Sequence, residues 1–558
     1  ENPMTSPRVI FASATPLTGS PLEIVDIMNL LIPNINLKRM DFFEKNGKIK
    51  PDTLERIGKL CTGYVSFLKD TNVKLYPKRI MEGEMLFNIP YLKFIPCPMS
   101  KLQQDTLSTI KNIDEIESLL SSGTYTLYDM IFPNPDSDKI GLYNSNKING
   151  AISMGSDKWK DQVGIHIEGN HITGKFLEYD NIGKYSTKYK TLLDEIFDIL
   201  DNKDPGKMIV YHYYVSTSGV MLLKELLLMN GFLDATSTPL SNTRCSVCGV
   251  INKNHNKLTD HSFKPARVLV VYGDMGADLD RNLAMFNAKN NIDGYEYRIL
   301  IGSRVIHEGI DFNCVRYMYV LSLPRDISTL IQLYGRAIRS GSHKWLSSEY
   351  RTVTIHNLVS TFKKDSIISP ELLNYRRKME IYQQIQLIER ELRRYAIDNF
   401  INYSKMNLPD KPTLDGLPYE PVFKFNKDKI KNEPDVTTFR AYGYANIEVD
   451  TLIVYMKRLF MFRPVWTYKD LWIEVRYPSV LYKTAYDHTT FAESSFQLAL
   501  DFLINGTYVE LMEDLDTNHN TNVPYINMSN EIRRVIFQDP YFILTSVDEL
   551  GIPVIDYD

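Results

Sequence analysis

Apolar runs that alternate with amphipathic stretches dominate the chain from about residue 185 to residue 362. Short, almost continuous apolar runs are typical of strands that are buried on both faces, and the stretches between them show helical spacing. The predicted strands are 208–215, 267–272, 297–301, 316–322 and 352–357, and the predicted helices are 188–200, 217–230, 278–288 and 328–340. Strands separated by helices predict an α/β fold on a parallel sheet, which binds ligands beyond the carboxyl ends of its strands.

The residues before this region show weaker patterns. Residues 8–12 read as a short buried strand, and an amphipathic helix follows from Pro21. Residues 122–181 are rich in Gly, Asn, Asp, Lys and Tyr, which favours an irregular or hairpin insertion.

The residues after this region predict helices and one hairpin. A helix begins at Ser369-Pro370-Glu371, which supplies a cap, a proline in the first turn and an early acid. Residues 407–440 form a connector rich in Pro, Asp and Lys, and Thr467 caps a further helix. Strands 507–512 and 523–528 would then form a hairpin. Helices followed by a hairpin predict a winged-helix-like module, and a helical partner-binding domain is the alternative.

Composition describes an ordinary globular protein that is long enough for several domains. The 558 residues carry a net charge of -4, so contacts with nucleic acid must come from a local patch. Five cysteines, an odd number, argue against a disulfide scaffold and for a reducing compartment. No apolar run approaches the ~18 residues that a membrane span requires. The chain starts with Glu1 rather than Met, and we expect it to be a piece of a longer protein.

Two arginines at the end of the fourth predicted helix are the first candidates for chemistry. Arg336 and Arg339 are three residues apart and would share one helix face. Two guanidinium groups on one face form a fork for phosphate oxygens. On these two residues alone, a solvated basic helix end that suits the helix dipole is the better interpretation.

The neighbouring residues favour the phosphate interpretation. The sequence around Arg336 reads Q-L-Y-G-R-A-I-R, and residues 302–312 upstream of it read G-S-R-V-I-H-E-G-I-D-F. Together they resemble motifs five and six of the superfamily two helicases, and Ser13-Ala14-Thr15 resembles motif three. The chain is most similar to the helicase-type small subunit of the early transcription factors of poxviruses, asfarviruses and giant viruses.

The phosphate-binding loop of that family is missing from the sequence. Each Gly-Lys pair is followed by an apolar residue or by Tyr, so no G-x-x-x-x-G-K-[ST] occurs. Neither Asp114-Glu115 nor Asp194-Glu195 lies in a strand-like run that could serve as a magnesium-binding Walker B element. We therefore expect ATP and Mg²⁺ to be held mainly by a first lobe outside this chain, and the chain alone to be inactive.

The resemblance implies a domain order for the whole chain. The expected parts are a C-terminal remnant of the first RecA-like lobe, an irregular insertion, the second RecA-like domain, a long bracing helix and a C-terminal domain. Their ranges are 1–105, 106–185, 186–362, 363–410 and 411–558.

The resemblance also implies roles for individual residues. Arg336 and Arg339 would act as arginine fingers on the γ-phosphate. Residues for ATP binding or its coupling to motion are Gln332, Gly335, Gly309, Asp311, Ser13 and Thr15. Residues for nucleic-acid contact are Ser303, Arg304, Ser216 and Thr217, and Ser303 stands where many members have Thr.

A metal-ligand pattern lies between the first and second predicted strands. Cys245, Cys248, His255 and His261 have the spacing C-x2-C-x6-H-x5-H. Two thiolates and two imidazoles suit tetrahedral zinc, although the six-residue middle gap is short for a zinc finger. A polar surface loop with incidental cysteines is the alternative.

The resemblance implies a viral DNA-dependent ATPase that couples ATP hydrolysis to movement on double-stranded DNA in early transcription. Its expected partners are the large subunit of the transcription factor and the viral RNA polymerase, with no membrane contact. Its expected location is the virion and the viral factory in the host cytoplasm. A related nucleoside triphosphatase that acts in transcript release is a second interpretation. A catalytically incomplete scaffold for DNA or transcription proteins is a third.

Overall fold

The structure of the chain is a computed structural model. It describes residues 10–13, 15–33, 35–66, 76–109, 126–134, 136–142, 165–168, 171–307, 309–363, 367–397, 445–476, 496, 499–500, 502–504, 526–528 and 531–546. The chain divides into two compact units, Leu75–Tyr382 and a second unit made of Glu1–Lys74 with Gln383–Asp558.

An eight-stranded parallel sheet forms the centre of the unit Leu75–Tyr382. Its strands are β1 (Lys78–Met81), β2 (Ile95–Pro98), β5 (Lys207–Tyr211), β6 (Leu233–Asp234), β7 (Arg267–Val271), β8 (Ile299–Gly302), β9 (Val315–Val320) and β10 (Thr352–Thr361). The order is β1-β10-β9-β5-β8-β7-β6, and β2 also pairs with β10. A separate hairpin joins β3 (Ile165–Glu168) to β4 (His171–Gly174). The predicted α/β class with a parallel sheet is confirmed.

Burial on both faces explains why the central strands read as continuous apolar runs. Every residue of β5 and β8 is buried, and the partly accessible residues of β9 and β10 are Arg316, Thr352 and Thr354. The described α-helices that lie wholly within this unit are α4 (Lys101–Leu107), α5 (Thr126–Asp129), α6 (Tyr179–Tyr185), α7 (Thr187–Asp201), α8 (Val220–Met229), α9 (Asn252–Leu258), α10 (Ala277–Asn287) and α11 (Ile327–Ala337). Residues of α7, α8 and the strands share one apolar core.

The sheet begins further upstream than the predicted boundary at residue 186. β1 pairs with the first four residues of β10 and β2 pairs with its last four, both in parallel. β10 is ten residues long, so the two four-residue strands β1 and β2 can pair one after the other along its length. The sequence gives little sign of this because the run Ile-Pro-Cys-Pro of β2 contains two prolines, which are tolerated only at sheet edges.

A fully buried lysine lies beneath the carboxyl end of the sheet. The Lys188 ammonium donates to Asp129 Oδ1 at 3.0 Å, to the Leu321 carbonyl at 2.9 Å and to Glu371 Oε1 at 2.8 Å. Burial alone lowers the pKa of Lys188, but the two carboxylates raise it above its usual value. Lys188 is therefore charged and neutralises two acids from distant parts of the sequence.

A histidine completes this buried ionic cluster. His212 follows β5, and its Nε2 lies 3.0 Å from the second oxygen of Asp129. Burial raises the pKa of Glu371, whose carboxylate also accepts the Ser360 backbone N–H. The cluster thus fixes the ends of β5, β9 and β10 relative to one another.

The second unit contains its own apolar cores. α1 (Glu23–Leu31), α2 (Arg39–Phe42) and α3 (Thr53–Cys61) pack with the C-terminal half of α12 (Pro370–Arg394). The predicted strand over residues 8–12 is wrong where the structure describes it. Ile10 is 90% exposed and residues 10–12 have no strand geometry, because a buried strand needs neighbours that pair with it.

The described part of the C-terminal segment combines helices with a four-stranded antiparallel sheet. The elements are α13 (Ala445–Phe462), β11 (Val465–Thr467), α14 (Tyr468–Arg476), β12 (Ile526–Met528), β13 (Glu531–Gln538) and β14 (Tyr541–Ser546). The sheet order is β11-β14-β13-β12, so β12 pairs with β13. Thr467 caps α14 as predicted. Residues 507–512 lie outside the described residues, and the winged-helix-like module stays a prediction.

None of the described helices is long and apolar enough to span a membrane.

Candidate functional site

The candidate site lies at the carboxyl edge of the parallel sheet. There β5, β8 and β9 end side by side. The segments after β5 and β8 carry predicted site residues, and the segment after β9 leads into the helix that carries Gln332, Gly335 and Arg336. The described residues of these connecting segments are 212–219, 303–307, 309–314 and 321–326. Ligands of open parallel sheets typically bind at this edge.

Helix α11, which carries Arg336, has a side-chain cap at its N-terminus and ends before Arg339. The Asp326 side chain accepts the Thr329 backbone N–H at 2.7 Å, which caps the helix. The helix ends at Ala337, so Arg336 lies in its last turn and Arg339 lies beyond it. The prediction that both arginines share one helix face is therefore wrong, because Ile338 leaves the helical conformation.

Asp311 nevertheless brings the two arginines together. Its Oδ1 atom accepts a hydrogen bond from Arg339 and lies 3.7 Å from Arg336 Nη1. The exposed fractions are 23% for the Arg336 side chain, 54% for Arg339 and 47% for Asp311. Solvent screens such ion pairs, which are typically worth about 1 kcal/mol or less. A more highly charged anion can therefore compete with Asp311 for both guanidinium groups.

The loop that carries Asp311 is attached to two helices. The Phe312 N–H donates to the Arg336 carbonyl at 3.0 Å. The Asn287 side chain at the end of α10 donates to the Asp311 carbonyl at 2.9 Å and accepts the Asn313 N–H at 3.0 Å. Asn287 thus positions this loop. Sequence reasoning missed it because a single polar residue at a helix end carries no motif.

The predicted glycines leave open space at this edge. Gly309 has a φ of +66°, a conformation that favours glycine, and a Cβ added there would meet nothing within 4 Å. Gly335 is exposed and also has open space at its Cβ position. Gln332 is half-buried one helical turn before Arg336, so the two side chains share a face of α11.

A buried histidine, His343, supports the segment that carries Arg339. Its Nε2 donates to the Val315 carbonyl at 2.7 Å, and its Nδ1 lies 2.8 Å from the Ser342 hydroxyl. Burial lowers the pKa of His343 to about 4. The ordinary histidine pKa is about 6.5, so the unfolded chain binds this proton first as the pH falls. His343 therefore stabilises the fold fully above pH ~6.5, and this contribution is lost between pH ~6.5 and pH ~4.

We expect the free energy of unfolding to fall by about 2 kcal/mol between pH 7 and pH 5 through His343 alone. The measurement is urea unfolding of the wild type and of His343→Gln at several pH values in this range. The glutamine variant keeps hydrogen-bonding capacity but does not titrate, so its curve should be flatter by that amount. Parallel curves for the two proteins would contradict the assignment.

The predicted nucleic-acid residues lie on two neighbouring loops, with different exposure. Ser216 and Arg304 are exposed, whereas Ser303 is buried and its N–H donates to the Val271 carbonyl. The Arg304 guanidinium lies over the Tyr213 ring, 5.2 Å from its centroid. Ser303 therefore offers little surface to a ligand, and Tyr213 is an aromatic neighbour that sequence reasoning missed.

Thr217 has a strained backbone in the same region. Its φ is +58°, in the left-handed region that a β-branched residue rarely adopts. Such a conformation typically costs about 1–2 kcal/mol. Strain of this kind clusters at functional sites, which supports a role for this loop in ligand contact.

Ser13 and Thr15 belong to the second unit. The Thr15 N–H donates to the Ser13 hydroxyl at 3.1 Å. Their predicted role in sensing the bound nucleotide stays a prediction.

The four predicted metal ligands come together within the described residues. One ligand atom from each of Cys245, Cys248, His255 and His261 lies within 4.8 Å of the others. This cluster lies in the connection between β6 and β7, which is separate from the loops at the carboxyl edge.

The segment that contains this edge is similar to helicases. Residues 241–341 match the helicase conserved C-terminal domain, a range that includes the metal-ligand cluster, Asp311 and both arginines. The chain therefore carries a helicase C-terminal domain and has homologues among the helicases of large DNA viruses.

Three relatives describe the relationship more closely. The chain is 40% identical to the early transcription factor large subunit homolog of African swine fever virus, covering 89% of this chain and 46% of that protein. It is 23% identical to a putative ATP-dependent RNA helicase of Acanthamoeba polyphaga mimivirus, covering 84% and 48%. It is 24% identical to a putative helicase of Invertebrate iridescent virus 3, covering 73% and 37%.

These relatives confirm the predicted kinship with helicase-like early transcription factors. The sequence resemblance named the small subunit, whereas the relative from African swine fever virus carries the name of a large subunit homolog. The chain spans about half the length of this relative, which leaves room for further domains in the relative.

Proposed function

We propose that this chain is the second lobe of a DNA-dependent ATPase that moves on double-stranded DNA during early viral transcription. The observation that carries the proposal is the convergence of Arg336 and Arg339 on one carboxylate oxygen at the carboxyl edge of the sheet. In this proposal the Asp311 oxygen occupies the position that a phosphate oxygen takes when nucleotide binds.

The charges at this edge suit phosphoryl transfer. As the γ-phosphate leaves, negative charge spreads over its oxygens, and two fixed guanidinium groups stabilise that charge. The open space at Gly309 and Gly335 lets a nucleotide approach the backbone. Gln332, on the same helix face as Arg336, would position the edge of the nucleotide.

The residues of this chain supply only half of such a site. They offer cationic groups for phosphate oxygens, and the sequence has no glycine loop with lysine to hold the β- and γ-phosphates. In the proposed enzyme a first lobe holds ATP and Mg²⁺. Ser13 and Thr15 would transmit the nucleotide state.

Contact with DNA is proposed for the loops beside the arginines. Ser216 and Arg304 are exposed there, and Arg304 can pair with a phosphate of the DNA backbone. The name of the relative from African swine fever virus supports a role in early transcription. The proposed partners are the other subunit of that factor and the viral RNA polymerase, in the virion and in the cytoplasmic viral factory.

The test compares this chain with a longer form that is extended upstream to include a phosphate-binding lobe. We expect the longer form to hydrolyse ATP faster when double-stranded DNA is added, and the 558-residue chain alone to show no turnover. Turnover by the isolated chain would contradict the division of the site between two lobes. Absence of DNA-stimulated turnover in the longer form would contradict the proposed activity.

One observation favours the alternative of a catalytically incomplete scaffold. Both arginines already have a carboxylate partner, Asp311, within their own unit. A scaffold would use these ion pairs to hold the loop in place. If the longer form binds double-stranded DNA with ordinary affinity but does not hydrolyse ATP, the scaffold is the better description.

A further inference from the structure

We propose that the connection between β6 and β7 binds one structural Zn²⁺ ion through two thiolates and two imidazoles, those of Cys245, Cys248, His255 and His261. The proposal is independent of the ATPase, because it rests on a different cluster of residues. Its grounds are the geometry of the backbone, the distances between donor atoms and the burial of the cluster.

A tight hairpin presents the two thiols. The Cys245 N–H donates to the Val250 carbonyl at 3.0 Å, and the Gly249 N–H donates to the Cys245 carbonyl at 3.0 Å. Gly249 has a φ of +70°, and a Cβ at this position would lie 2.7 Å from Asp201 Oδ1. The sequence Cys-x-x-Cys-Gly therefore forms a turn in which both side chains point to the same side, as two ligands of one ion require.

The distances between donor atoms fit a tetrahedral zinc ion. With Zn–S bonds of about 2.3 Å and Zn–N bonds of about 2.0–2.1 Å, the tetrahedron has N···N edges of ~3.3 Å and S···N edges of ~3.6 Å. In the structure His255 Nε2 lies 3.2 Å from His261 Nε2, and Cys245 Sγ lies 3.5 Å from the same nitrogen. Side chains that were brought together only by packing would have no reason to match these lengths.

A neighbouring hydroxyl orients one of the imidazoles. Thr259 Oγ1 donates to the His255 carbonyl at 2.8 Å and lies 3.0 Å from His255 Nδ1 and 3.2 Å from His255 Nε2. In the tautomer with the proton on Nδ1, the nearer of the two nitrogens, the hydroxyl accepts that proton and the Nε2 lone pair is left for the ion. Hydrogen bonds of this type to the second ring nitrogen accompany almost all histidine ligands of metals.

Burial and charge balance also suit zinc. Cys245, Cys248 and His255 are buried and His261 is half-buried, so the site is closed, which is typical of structural rather than catalytic zinc. Two thiolates neutralise the double charge of the ion, and the two thiol protons are released on binding. A neutral closed site avoids the cost of a buried unpaired charge.

The proposed ion would join both arms of the connection between β6 and β7. The Ser246 N–H donates to the Lys264 carbonyl, and the Ala266 N–H donates to the Arg244 carbonyl. Ala266 is the residue immediately before β7. The Ser246 hydroxyl donates to the Gly294 carbonyl, near the amino ends of the strands. The ion would therefore hold the sheet at the edge opposite to the arginines, without contact with nucleotide.

The test is elemental analysis of the purified full 558-residue chain by mass spectrometry, together with thermal unfolding. We expect about one zinc ion per chain, and a lower unfolding temperature after a chelator removes it. Cys245→Ser and His261→Ala should lose the metal, whereas His261→Cys should retain it because a third thiolate can replace the imidazole. Cys314→Ser is the matched control, since Cys314 is buried elsewhere in the same unit and should not affect zinc content.

Cobalt provides a readout that does not depend on folding of the variants. Co²⁺ added to the chelated wild-type chain should give the thiolate-to-metal absorption of a tetrahedral site with two sulfur ligands. A folded wild-type chain without zinc and without this absorption would overturn the proposal. Full zinc content in Cys245→Ser would also overturn it.

Discussion

Arg339→Ala, introduced into the longer form with a phosphate-binding lobe, is expected to lower ATP turnover by about three orders of magnitude or more. The guanidinium stabilises charge that develops only as the phosphate is transferred, so its loss affects the reaction more than the binding of ATP. The Arg339 side chain is 54% exposed, and its removal should leave the fold intact.

The measurement for Arg339 separates chemistry from binding. Single-turnover hydrolysis should slow by the full factor, while the dissociation constant for nucleotide should change only a few-fold. Arg281→Ala is the matched control, because Arg281 is an exposed arginine of the same unit that pairs with Asp278 on its own helix. If Arg339→Ala and Arg281→Ala turn over ATP equally fast, Arg339 is not an arginine finger.

Lys188→Met is expected to destabilise the unit Leu75–Tyr382 by about 3–5 kcal/mol. The substitution leaves the buried carboxylates of Asp129 and Glu371 without their shared cation. It also removes the donor to the Leu321 carbonyl at the end of β9. Two buried acids without a partner must take up a proton or admit water, and both responses weaken the native state.

Denaturant unfolding measures the effect of Lys188. Lys190→Met is the matched control, because Lys190 lies on the same helix but forms a partly exposed ion pair with Asp194. We expect the control to change stability by about 1 kcal/mol or less. Adding Glu371→Gln to Lys188→Met should recover part of the loss, since one buried negative charge is removed. Equal stability of the two single variants would contradict a role of Lys188 as the shared cation.

The α/β core could be predicted from the sequence because its signals are local. Helix 188–200 and strand 267–272 were predicted within one residue of the observed Thr187–Asp201 and Arg267–Val271. Strands buried on both faces must be apolar along their length, and the helices between them must each have an apolar face. These requirements are visible in short windows of sequence.

Pairings between distant residues could not be predicted from the sequence. β1 and β2 were missed because their pairing depends on β10, more than 250 residues away. The Lys188 cluster was missed for the same reason, since Asp129 and Glu371 have ordinary sequence surroundings. At the candidate site the motifs predicted roles for Asp311, Arg336 and Arg339, but they did not indicate that one carboxylate oxygen lies close to both arginines.

The in-line arrangement of β1 and β2 along β10 determines which recombinant fragments can remain monomeric. A fragment that starts at residue 186 lacks both strands, and the ten residues of β10 then present free N–H and C=O groups along one side. Such an edge recruits strands from other molecules and leads to aggregation. A crystallisation fragment of this unit therefore has to begin upstream of Lys78.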